Sequence, residues 1–153
     1  MLRRRLASAS TVAVFLIASL GFARAAPRAV LELFTSQGCS SCPPADELLG
    51  EYAKDPSVIA LSLPIDIWDY LGWKDTLAIP GHTTRQRAYA AMRADWQVYT
   101  PQMVVNGSAH ALGSDHAAID RAIAETDRNP AVMSLPVSMT AAGDHLTVTV
   151  KAK

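Results

Sequence analysis

The sequence predicts an α/β fold, a central mixed sheet flanked by helices. Three observations carry that prediction. An apolar run, Ala29 to Thr35, is followed at once by helix-forming residues and then by a second apolar run from Val58 to Ile65. Strand, helix and strand joined this tightly make a βαβ unit. Further on, Asn106-Gly107 separates two short apolar stretches, Met103 to Val105 and Ala109 to Leu112, as a hairpin turn does. A third helical pattern follows and ends before Asn129-Pro130.

Ahead of this pattern lies a targeting segment. Arg3, Arg4 and Arg5 form a positive start, Thr11 to Phe22 is apolar and uncharged, and Ala23-Arg24-Ala25 has the small-x-small form of a cleavage site. The apolar core is shorter than the ~20 residues a membrane span needs. The expectation is therefore a signal peptide over residues 1–25, export to the periplasm or exterior, and no stable membrane anchor after cleavage. Residues 1–25 hold four arginines and no acid, so the remainder carries 10 basic and 14 acidic residues, a net charge of −4 with neutral histidine. No basic patch survives, which argues against nucleic acid as a partner.

The first strand contains one charge, Glu32, and ends at the turn Gln37-Gly38. Cys39-Ser40-Ser41-Cys42 comes next, and Pro43-Pro44 opens a helix reaching about Lys54, with Leu48, Leu49, Tyr52 and Ala53 on one face. Both thiols are expected in the first helical turn, with Cys39 at the exposed tip. Unpaired amides and the dipole at a helix N-terminus favour a thiolate there. By its residues alone, C-x-x-C can be a redox pair, half of a zinc site or an inert disulfide. These are the only cysteines, and no histidine has the spacing that completes a zinc site, so no metal site is assigned.

The second strand, nearly continuous in apolar residues, is expected to be covered on both faces. Asp66 to Gly81 is irregular and aromatic-rich. Trp68, Tyr70 and Trp73 either pin this insertion to the body or form an apolar wall that receives substrate. Thr83 and Gln86 suggest a capping box for a helix burying Ala88, Tyr89, Ala91, Met92 and Trp96. Ser114 is the expected cap of the third helix, with Ile119, Ala122 and Ile123 inside. These elements make one domain over residues 26–130. Residues 131–153 alternate as a β-hairpin extension, which either packs on that domain or begins a small β module.

A C-x-x-C pair opening the first helix, in the order βαβ, helix, β-hairpin, helix, resembles the thioredoxin fold over about Ala29 to Asn129. A second signature is Thr100-Pro101 at the head of the third strand. The resemblance implies a cis-proline at Pro101, packed against the cysteines, and a substrate backbone pairing with Thr100. More narrowly, the stretches Glu32 to Asp46 and Trp68 to Asp75 are similar to a family of secreted bacterial thioredoxin-like proteins classed as a domain of unknown function. The fold analogy implies an exported thiol–disulfide oxidoreductase in which Cys39 attacks and Cys42 resolves the mixed disulfide. It also implies cysteine-containing envelope proteins as clients and a redox-recycling partner, with no cofactor.

The sequence departs from well-known members in two places. Gly38 stands where thioredoxin has tryptophan, and Ser40-Ser41 lacks the histidine that makes some disulfides strongly oxidising. Trp68 and Trp73 are candidate substrate contacts. Glu32 lies near where such enzymes keep a buried acid that moves a proton for the resolving cysteine, but one residue out of register. It is therefore either that acid, reached through a longer turn, or a surface-edge glutamate facing the other way. Two other uses of the same fold stay open. In one, Cys39 and Cys42 hold a soft metal such as Cu(I) with His82 as third ligand. In the other, a permanent disulfide braces a redox-inactive partner-binding scaffold.

Overall fold

A computed structural model describes residues 27–151. The expected signal peptide lies outside the described residues. Strand β1 (Ala29–Thr35) pairs in parallel with β2 (Val58–Pro64) and antiparallel with β3 (Gln102–Val105), which in turn pairs antiparallel with β4 (Ala109–Leu112). The order β2-β1-β3-β4 makes a four-stranded mixed sheet with β1 and β3 at its centre.

Helices α1 (Pro43–Tyr52) and α3 (His116–Asp127) pack on one face of the sheet. Leu31 and Leu33 of β1, Met103 and Val105 of β3, Leu49 and Tyr52 of α1, and Ile119 and Ile123 of α3 form the main core there. Alternation along the strands sends Phe34 and Val104 to the other face. There they pack with Ile65, and with Tyr89 of helix α2 (Pro80–Arg93).

Several local expectations are met closely. The first strand has the predicted bounds, and α3 buries Ile119, Ala122 and Ile123. At the β3–β4 turn Asn106 and Gly107 both have positive φ, 50° and 68°, the conformation for which this pair is suited. Asn106 also ties three elements together. Its backbone N–H donates to Val30 O (2.8 Å), its Oδ1 accepts from Val30 N (2.7 Å), and its Nδ2 donates to Thr126 Oγ1 (2.8 Å).

Four expectations are corrected. Strand β2 is an edge strand, and Ile59 and Leu61 remain 44% and 39% exposed, so it is not covered on both faces. Helix α2 starts at Pro80 rather than Thr83, because a proline needs no amide partner in the first turn. Its inward face is polar: Thr83, Gln86 and Ala90 are buried, whereas Met92 and Trp96 are about three-quarters exposed (76% and 74%). The reason lies in the sheet, which presents Glu32 and Gln102 toward this helix. Gln86 Nε2 donates to Gln102 Oε1 and to Tyr99 O, both at 2.8 Å, and a polar side chain thus answers a polar sheet face. Finally, α3 is capped by Asp115, whose carboxylate accepts from Ala118 N (2.9 Å), and not by Ser114.

The last segment forms its own two-stranded antiparallel sheet, β5 (Val137–Ala142) with β6 (His145–Val150), turning at Gly143 with φ 61°. Every residue of both strands is exposed.

Candidate functional site

The cysteine turn is built directly on the end of β1. Cys39 N donates to Ser36 O (3.1 Å), Gly38 N to Ser36 Oγ (3.1 Å), and Cys42 N to Cys39 O (3.2 Å). Cys39 and Cys42 are joined as a disulfide with Cα atoms 5.4 Å apart. The pair sits just ahead of the helix rather than within its first turn: Cys42 is the N-cap of α1 and Pro43 its first residue. Pro43 and Pro44 have no amide hydrogen, and Ala45 N and Asp46 N both donate to Cys42 O (2.9 and 3.1 Å), so what the helix start offers the sulfurs is the positive end of its dipole. Cys39 is not an exposed tip. It is 6% exposed and Cys42 1%.

The aromatic insertion packs against the turn that leads into Cys39. A Cβ on Gly38 would lie 2.9 Å from Trp68 Cβ, so glycine there is what lets the insertion approach. Trp68 Nε1 donates to Thr100 Oγ1 (2.8 Å), and Trp73 Nε1 donates to Gln37 Oε1 (2.9 Å). The insertion is anchored by Asp75, 2% exposed, whose two carboxylate oxygens accept from Gln37 N and Leu77 N, each at 2.8 Å. Asp75 is a residue that sequence reasoning missed. Its only sequence signal was an acid in an aromatic-rich loop, which ordinarily reads as solvated.

Thr100-Pro101 is the chain's cis peptide among the described residues, as the resemblance implied, and Pro101 is buried. A Cβ placed on Gly113 would meet Leu33 Cδ1 at 2.7 Å and both Ala45 Cβ and Pro101 Cβ at 3.0 Å. Those three side chains therefore converge at the first turn of α1, which puts Pro101 beside the cysteine pair. Gly113 N donates to Pro101 O (2.9 Å) and fixes the loop from the other side. The structure thus gathers Cys39, Cys42, Thr100, Pro101, Trp68 and Trp73 around one turn.

Glu32 does not join them. It shares the sheet face of Phe34, away from α1, and is 3% exposed. Its Oε1 accepts from Arg85 Nε (2.9 Å) and Arg85 Nη2 (2.6 Å), and Arg85 Nη2 also donates to Tyr89 Oη (2.7 Å). Arg85 is held above its usual pKa, chiefly by that bond to Glu32. Burial, aided by Glu32, pushes the Tyr89 hydroxyl up to about 12. Glu32 is thus neither beside the cysteines nor a surface-edge glutamate: it is a buried carboxylate paired with an arginine on the other sheet face.

A groove of about 440 Å³ opens at the turn, between α1 and the edge strand β2. Cys39, Thr35, Asp46 and Asp75 line it. Desolvation raises the Asp46 carboxyl above the ordinary range, partly opposed by the Thr35 hydroxyl. Asp46 was overlooked because an acid in a first helical turn is so readily explained by the dipole; its spacing of four from Cys42 was the usable signal. A somewhat larger cavity, about 510 Å³, is lined by Arg28, Tyr52, His116 and Asp120 and includes no residue of the cysteine turn. Among the described residues no three His, Cys, Asp or Glu side chains gather as a metal ligand set, and His82 Nδ1 lies 2.9 Å from Pro64 O.

Comparison with curated proteins returns no match. The X-ray crystal structure of a protein from Agrobacterium tumefaciens is similar at a TM-score of 0.73, with 42% identity over 85% of this chain and 59% of that one. This chain accordingly spans about three-fifths of that protein's length. Residues 30–153 match the family described as protein of unknown function (DUF1223), and the chain belongs to that family.

Proposed function

We propose that this chain has a thioredoxin-like fold and works as a thiol–disulfide oxidoreductase, exported by its first 25 residues and acting on cysteine-containing proteins of the cell envelope. One observation carries the reading. A C-x-x-C disulfide at a helix N-terminus is packed beside Thr100-Pro101, with Trp68 bonded to Thr100 over it. A purely structural disulfide needs no such surround, whereas an exchange site needs a surface that holds a polypeptide against the sulfur.

In the oxidised form a client thiolate attacks Cys39 Sγ. The Cys39–Cys42 bond breaks, and Cys42 leaves as a thiolate favoured by the dipole at the start of α1. A second client thiolate then attacks the client sulfur of the mixed disulfide and releases Cys39 as thiolate. The client gains a disulfide, and the protein takes up the two electrons. Run in reverse, Cys39 thiolate attacks a client disulfide and Cys42 displaces the client from Cys39. A partner dithiol or disulfide restores the starting state. Thr100 would pair with the client backbone, and Trp68 and Trp73 would flank it. Glu32, bonded to Arg85 on the other sheet face, has no part in these steps. Ser40 and Ser41 offer hydroxyls and no charge, so an intermediate potential is expected.

The test is equilibration of the protein from Ala26 onward with glutathione buffers, followed by alkylation of free thiols. A reduction potential above about −270 mV, with Cys39 alkylated well below the free-thiol pKa of ~8.5, is the expected result. A potential below about −300 mV with unreactive thiols would overturn the enzyme reading and leave a structural disulfide.

A further inference from the structure

The groove between α1 and β2 has features that the exchange steps above leave unused. It reaches Cys39, the proposed nucleophile, and its lining includes none of Cys42, Thr100 and Pro101. Its two charged lining groups are both acids, Asp46 and Asp75, and no lysine, arginine or histidine lines it. Asp75 is committed to backbone amides, which leaves Asp46 as the carboxylate free to meet a ligand. Asp46 is exposed along the groove, and the partial desolvation that raises its carboxyl would be relieved by a cationic partner. Thr35 stands beside Asp46 in the same groove. Its side chain is only 5% exposed and lines the groove, yet its hydroxyl makes no hydrogen bond of ordinary length, with the Asp46 carboxyl as its polar neighbour. A buried hydroxyl without a partner is costly unless something else supplies one. The floor is built of small residues, Gly50, Ala53, Ala60 and Ser62, and a Cβ on Gly50 would meet nothing within 4 Å.

We propose that this groove is a specificity subsite for the group flanking the reacting sulfur, and that it selects disulfide substrates carrying a positive charge next to that sulfur. The inference rests on the oxidoreductase reading. In the reducing direction Cys39 thiolate attacks the substrate sulfur whose flanking cation sits against Asp46, and the other half leaves as thiolate. Cys42 then attacks Cys39 Sγ and frees the bound half as a second thiolate. The substrate gains two electrons and the protein returns to its disulfide.

The experiment uses protein reduced beforehand and freed of reductant. Single-turnover oxidation is followed with three small disulfides: cystamine, bis(2-hydroxyethyl) disulfide and 3,3′-dithiodipropionate. Each rate is divided by that of the same disulfide with 2-mercaptoethanol, which removes differences in intrinsic reactivity. At low ionic strength the dication should react about two- to fivefold faster than the neutral compound and the dianion slower, the range expected of a part-exposed ion pair. Molar salt should erase the order in the unaltered protein. Asp46→Asn should erase it as well, whereas Glu47→Gln, the adjacent acid outside the groove, should keep it. Equal normalised rates for the three, or a preference that survives both salt and Asp46→Asn, would overturn the subsite alone. Failure to react with any of the three would overturn the oxidoreductase reading beneath it.

Discussion

Replacing Glu32 by glutamine separates the two roles open to this residue. The carboxylate is 3% exposed and accepts two bonds from Arg85, at 2.9 and 2.6 Å. A hydrogen bond to a charged group contributes about 1.5–3 kcal/mol when both partners are removed from water. The Arg85 side chain is half exposed, at 52%, so solvent screening cuts the total for the pair to roughly 2 kcal/mol. Glutamine keeps the shape and one acceptor oxygen but loses the charge. The expected cost is about 1–2 kcal/mol, or a melting temperature lower by about 5–10 °C for a domain of this size. Arg85→Leu should cost more, roughly 3 kcal/mol, because it strands a buried carboxylate without a countercharge. Urea unfolding of the oxidised proteins, followed by tryptophan fluorescence, gives these values. Single-turnover exchange with bis(2-hydroxyethyl) disulfide between pH 5 and 9 supplies the second readout, and Glu32→Gln should leave its rate and pH profile unchanged. Unaltered stability together with a tenfold slower exchange and a displaced pH profile would refute the structural assignment and put Glu32 back among the proton-transfer groups.

Gly113→Ala should destabilise by about 1–3 kcal/mol in the same unfolding assay, since the new methyl meets Leu33, Ala45 and Pro101 at 2.7–3.0 Å and Pro101 Cβ and Ala45 Cβ belong to a packed turn. Asp46→Asn should be neutral or mildly stabilising near pH 7: the folded-state pKa of Asp46 is raised, so its cost is absent below the unfolded carboxylate pKa and is present once pH has risen past the folded value. Stability curves of the two proteins should therefore converge in acid, and an Asn variant clearly less stable at pH 7 would contradict this. Trp68→Phe removes the donor to Thr100 Oγ1 and should cost about 1 kcal/mol while weakening saturation by a cysteine-containing peptide, read as a higher KM.

The first strand, the β3–β4 turn and the third helix were legible because they rest on local chemistry. The uninterrupted apolar run of Ala29 to Thr35, the Asn106-Gly107 turn and the apolar stripe of α3 each admit few alternatives. The same holds for Cys42 and Pro43 at the start of α1. Legibility failed where one polar group answers another across the fold. Gln86 and Arg85 turn inward because Gln102 and Glu32 face them, and nothing within the helix's own sequence announces those partners. An apolar-stripe argument therefore chose Met92 and Trp96, which are exposed. The second strand misled for a related reason. Continuous apolar residues suit a strand buried on both faces, but β2 lies at the sheet edge, and position in a sheet is not a local property.

The departure at Gly38 bears on how the site is shaped. A tryptophan just before the nucleophile would have supplied an aromatic from the cysteine turn itself. Here Trp68 comes from the connection between β2 and α2, and it can lie against the turn because Gly38 has no Cβ. Such an aromatic would be free to swing if its loop were loose. It is held at both ends instead: its indole donates to Thr100 Oγ1, and Asp75, six residues after the neighbouring Asp69, accepts from the amides of Gln37 and Leu77 and donates its own amide to Asp69 Oδ1 at 3.1 Å. The insertion beside the cysteine turn is therefore held in place, and Cys39 lines the same groove as Asp46. A client would have to present its cysteine between the Thr100 surface and that groove, so the backbone pairing and the charge beside the sulfur would be read together. If the proposed exchange reaction holds, a site arranged this way would discriminate among polypeptides by their sequence near one cysteine, which a freely exposed thiol at a helix tip could not do.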